Sequence, residues 1–107
     1  MYTRIILPQD AALPLVTAAS ELSEATGATV INGDIPSDAD KSTIIVATAE
    51  MLDDIPGALN IPGSDSLGGK QWELVTTTEK GLVISGSSPR NICRAALFWI
   101  NDPSNET

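Results

Sequence analysis

The sequence predicts an α+β fold: a two-layer α/β sandwich with a mixed sheet of about five strands and two long helices, in the order β-α-β-β-β-β-α. Three observations carry this reading. Short runs rich in Ile, Val and Leu, at 3–7, 43–48 and 82–84, have the length and composition of strands. Two longer stretches, 10–26 and 88–100, repeat apolar residues at helical spacing. The 107 residues leave room for one domain with one core, which buries roughly 65% of the surface of the unfolded chain.

Taken in order, Thr3 to Leu7 is the first strand, closed by Pro8. Asp10 is placed as the N-cap of a helix running through Thr26, with Pro14 near the first turn, where amides have no intrahelical partner. Leu15, Ala18, Ala19, Leu22 and Thr26 share one face of it, and Thr17, Ser20, Glu21 and Glu24 the other. Gly27 stands where a left-handed cap belongs, and Ala28 to Ile31 restarts as an extended segment. Asn32 to Lys41 is a polar loop. Thr43 to Thr48 is a continuous apolar run of the kind covered on both faces, which places it mid-sheet.

Ala49 to Asp54 reads as a short helical turn, and the glycine- and proline-rich residues 56–69 as the longest loop. Trp72 to Thr77 alternates, with Trp72, Leu74 and Thr76 on one side, as in a half-exposed antiparallel strand. Glu79-Lys80-Gly81 turns it into the strand Leu82-Val83-Ile84, which makes a hairpin. Ser85-Gly86-Ser87-Ser88 ends that strand, Ser88 caps the last helix and Pro89 occupies its first turn. Ile92, Ala95, Ala96 and Trp99 form its buried stripe. Cys93, Leu97, Phe98 and Ile100 make the same helix apolar nearly all round, so Leu97, Phe98 and Ile100 are expected to meet a partner domain. Residues 1–101 form the single domain and 102–107 a tail or linker.

Composition narrows the chemistry. With 42% hydrophobic but only 4% aromatic residues, the core is built from Ile, Leu, Val and Ala. A net charge of −8 with six Lys and Arg argues against nucleic acid and anionic membrane surfaces as partners. No run approaches the roughly 20 apolar residues of a membrane span, and the N-terminus lacks a signal-peptide pattern. The single cysteine cannot form an internal disulfide. Without histidine, neither a zinc site nor a Ser–His or Cys–His nucleophile pair can be assembled within this chain, so no catalytic residue, metal or cofactor is assigned to it.

Several residues in order resemble a known family. They are Ile6-Leu7-Pro8 closing the first strand, Ala18-Ala19, Glu21-Leu22 and Thr26-Gly27 on the helix, Ile44-Ile45-Val46, then Gly81-Leu82-Val83-Ile84-Ser85-Gly86, Pro89-Arg90 and Ala95-Ala96. Together they resemble the N-terminal accessory domain of glycoside hydrolases, the α-glucuronidases and β-N-acetylhexosaminidases. The resemblance implies a non-catalytic domain packed beside a catalytic (β/α)8 barrel, which is its partner, binds the carbohydrate and carries the sugar-cleaving carboxylates. It also implies a secreted or periplasmic parent. Asn91 departs from the glycine usual after Pro89-Arg90, Ala95-Ala96 stands for a Tyr-Ala or similar pair, and no barrel lies within this chain.

The residues themselves leave an alternative: a free-standing small module that binds an acidic ligand at the Ser87–Arg90 turn. There the hydroxyls of Ser87 and Ser88, the helix-start amides and Arg90 would converge on a carboxylate or phosphate. In the competing account Ser88 only caps the helix and Arg90 pairs with an acid or a neighbouring domain. Gly63 to Lys70 superficially resembles a phosphate-binding loop but lacks the Gly-Lys-Ser/Thr opening a helix. Asp34, Asp38 and Asp40 lack calcium-loop spacing and read as a solvated acidic loop. Glu50, Asp53 and Asp54 read as solvated surface. Cys93 lies between Arg90 and Arg94, which favours a thiolate, although a buried thiol acting as a small apolar residue fits as well. Asn105-Glu106-Thr107 spells a glycosylation sequon.

Overall fold

Thr43, Ile44, Ile45 and Val46 are all buried, as expected of a strand with neighbours on both edges and cover on both faces. In the computed structural model, which describes residues 2–48, 50–51 and 71–102, this strand is the third of five. The elements are β1 (Arg4–Leu7), α1 (Leu13–Thr26), β2 (Thr29–Asn32), β3 (Thr43–Val46), β4 (Glu73–Thr78), β5 (Gly81–Gly86) and α2 (Pro89–Ile100). The sheet order is β2-β1-β3-β5-β4. The first four strands in that order run parallel, and β4 pairs antiparallel with β5. This mixed five-stranded sheet with two helices is the architecture the sequence predicts.

Both helices lie on one face. Leu15, Ala18, Ala19 and Leu22 of α1 and Ile92, Ala95 and Ala96 of α2 pack with Ile5, Leu7, Ile44, Val46, Leu82 and Ile84 into one core. Alternation along the strands sends Ile6, Ile45 and Val83 to the opposite face, and these too are fully buried. Ile35, Met51, Trp72 and Leu74 pack against the cluster of Ile45, Ala47 and Val83. The 33–42 connection is tied down along this face. Arg4 pairs with Asp38 at 3.1 Å, and Lys80 Nζ donates to the Ser37 carbonyl at 3.1 Å.

Helix α1 starts later than expected. Asp10 is not its N-cap; Ala12 is, and it offers no side-chain acceptor. A cap at Asp10 would put the Pro14 ring against the Asp10 carbonyl four residues back, whereas a start at Leu13 places proline within the first turn, free of that clash. At the other end Gly27 adopts φ 79° and donates to the Ser23 carbonyl at 2.7 Å, the expected left-handed cap. Gly81 has φ 128°, and a Cβ there would come within 2.9 Å of the Asp40 carbonyl, so glycine is required where the hairpin approaches the chain entering β3.

Glu50 and Met51 form a short turn, with the Met51 amide donating to the Thr48 carbonyl at 3.0 Å. The rest of the expected 49–54 turn, the 56–69 loop, the Gly63–Lys70 stretch and the terminal sequon lie outside the described residues.

Candidate functional site

Both sets of candidate residues sit on α2, one at each end. At its start, Gly86 lets the strand run close under the helix, where an added Cβ would lie 2.8 Å from the Ile92 amide nitrogen. Ser87 then bonds back to the edge strand: its amide donates to the Trp72 carbonyl at 3.0 Å, and its Oγ accepts from the Trp72 amide at 3.1 Å. Ser88 is the N-cap, accepting from the Asn91 amide at 3.3 Å. Asn91 completes the motif in reverse, its Oδ1 accepting from Ser88 Oγ at 2.6 Å and from Ser87 Oγ at 3.2 Å. Asn91 thus stands in the third helical position, where a capping box carries Glu or Gln, but it accepts from the cap's hydroxyl rather than from its backbone amide.

Asn91 is only 4% exposed, and its Nδ2 donates to Glu73 Oε2 at 3.3 Å. Arg94 Nε reaches the same oxygen at 3.3 Å. Ser87, Ser88 and Arg90 are therefore neighbours, but both hydroxyl protons point at Asn91. An anion at this turn would have to draw them away. Arg90 is exposed, and it belongs to neither ion pair found among the described residues.

At the far end the three expected contact residues separate. Ile100 is half-buried and packs on the core beside Trp99, whose ring meets Tyr2 edge-to-face at 5.6 Å. Leu97 and Phe98 face solvent, 38% and 74% exposed. With Arg94, Asn101 and Asp102 they line a shallow hollow. The helix end is closed by Asn101, whose amide and Nδ2 both donate to the Leu97 carbonyl, at 3.1 and 2.8 Å.

No protein-family model, curated protein or solved structure matches this chain. The functional reading therefore rests on the residues and their geometry.

Cys93 is half-buried against the core, and its thiol pKa is pushed up, first by loss of solvent and then by the nearby Glu21 carboxylate. The thiolate suggested by Arg90 and Arg94 is thus disfavoured. Asp38 is engaged by Arg4, and Asp40 accepts from the Ser42 amide and hydroxyl. Among the described residues no group of three or more His, Cys, Asp or Glu side chains could hold a metal ion.

Two residues of this region escaped the sequence reading. Asn91 was legible in principle, as a polar side chain three positions after a serine cap. Glu73 was not, because nothing local announces that an exposed strand carboxylate will meet a helix 18 residues away.

Proposed function

We propose that the chain is a non-catalytic accessory domain that packs, through the free flank of α2, against a catalytic domain of the same polypeptide. The N-terminal domains of glycoside hydrolases stand beside their barrels in this way, and carbohydrate would bind to the barrel. The observation that carries the reading is the exposure of Leu97 and Phe98 together on the last turn of the helix. Fully burying one such side chain contributes about 1.5–3 kcal/mol. That is too little to hold two separate molecules together. It is enough to orient a domain joined by a short linker, where the effective concentration is high.

The test is to read the coding sequence beyond Thr107. Several hundred further codons with alternating strand and helix patterns, as in a barrel, are expected. A stop codon directly after Thr107 would overturn the proposal and leave the free-standing module. In that case, titration with glucuronate would show whether the amides of Ser87 to Asn91 respond.

A further inference from the structure

The order β2-β1-β3 at one side of the sheet creates a switch point. From β1 the chain leaves through α1 toward β2 on one side, and from β3 it proceeds toward β4 and β5 on the other. Where neighbouring parallel strands send their connections apart, a crevice opens outside their carboxyl ends, and ligands of open α/β sheets bind there. A cavity of about 450 Å³ occupies this position, bordered by Gln9 just after β1, by the 33–37 segment just after β2 and by Met51 just after β3. It runs under that segment to Lys80, in the turn at the amino end of β5.

The lining has a polarity along its length. Asp34 and Gln9 are exposed at the carboxyl end of the strands, and Asp34 belongs to neither of the ion pairs among the described residues. Lys80 stands at the opposite end, its Nζ held at 3.1 Å by the Ser37 carbonyl, with two further N–H groups to offer. The same lining includes the apolar residues Ile35, Pro36 and Met51. A carboxylate and an ammonium in one cavity that also has apolar lining complement a molecule with opposite charges joined by methylenes. A chain of net charge −8 repels simple anions, whereas a ligand of zero net charge meets no such barrier.

We propose that this crevice binds a small linear zwitterion of the ω-amino acid class, its ammonium on Asp34 and Gln9, its methylenes over Ile35 and Met51, and its carboxylate on Lys80. The site lies on the face of the sheet away from the helices, so it stands or falls independently of the domain-packing proposal.

The experiment is a two-dimensional amide NMR titration of the full chain with ε-aminocaproate and γ-aminobutyrate, using hexylamine and hexanoate as singly charged controls. Saturable shifts at Gln9, Gly33, Asp34, Ile35 and Lys80 are expected with at least one zwitterion, and binding at least about tenfold weaker for both controls. Asp34→Asn and Lys80→Gln should each weaken binding by about tenfold or more while leaving the rest of the spectrum in place. The glutamine can keep a hydrogen bond to Ser37, and Asp34 is exposed, so both variants are expected to fold. Absence of shifts at these residues up to about 20 mM of either zwitterion would overturn the proposal. So would controls that bind as well, or variants that bind unchanged.

Discussion

Ser85 carries a buried hydroxyl that makes no hydrogen bond among the described residues. It lies opposite Leu74 across the hairpin, on the face of the sheet away from the helices. A buried hydroxyl without a partner costs about 1–3 kcal/mol, so Ser85→Ala should raise stability, by about 1 kcal/mol, read as a shift of the urea midpoint at constant slope. Lower stability in that variant would mean that the hydroxyl has a partner. Asp40 shows the opposite case, a polar group well provided for. The Ser42 hydroxyl and amide donate to its Oδ1 at 2.5 and 2.9 Å and hold its carboxyl below the ordinary aspartate value; desolvation opposes them, and Arg4 adds a lesser lowering influence. Because the folded pKa is depressed, the contribution to stability is present above the unfolded value of about 3.9 and is lost as the pH falls through the lower folded value. Carboxyl-carbon NMR should find Asp40 titrating below a model peptide, and Ser42→Ala should move it back up. An unchanged midpoint in that variant would contradict the assignment.

At the scale of elements, the two helices differ in how they begin. Helix α2 has Ser88 and Asn91 in a reciprocal cap, whereas α1 has Ala12, with no side-chain bond to its first-turn amides. Ala12 already has extended backbone angles, φ −65° and ψ 157°, so serine fits without rearrangement. Ala12→Ser should therefore stabilise the protein by about 1 kcal/mol, seen as a higher thermal midpoint; no gain would mean that another group already satisfies those amides. The buried stripe of α1, Leu15 to Leu22, was fully legible in the sequence, because helical spacing alone determines which residues share a face. Its start was not. The acid at Asp10 looked like a cap, and only the position of the Pro14 ring relative to the carbonyl four residues earlier decides against it. On α2, the sequence marks Leu97, Phe98 and Ile100 alike as surplus apolar residues; in the fold Leu97 and Phe98 are exposed while Ile100 packs against the core, a difference that no local pattern encodes.

For the whole molecule, the continuous apolar run of β3 was enough to put it in the middle of the sheet. The order of the other strands depends on pairings such as Arg4 with Thr43, which no local pattern encodes. The second buried face was also only half legible. The sequence marks β3 as covered on both sides, but Ile35, Met51 and Trp72 come from segments that read as a polar loop, a short helical turn and a half-exposed strand. As proposed above, the exposed end of α2 is a docking surface for a further domain of the same polypeptide. Hydrogen–deuterium exchange of Leu97 to Asn101, compared between this chain and the full product of its reading frame, tests it most directly. Docking is expected to slow exchange by at least about tenfold in the full product; identical exchange in the two would rule docking out.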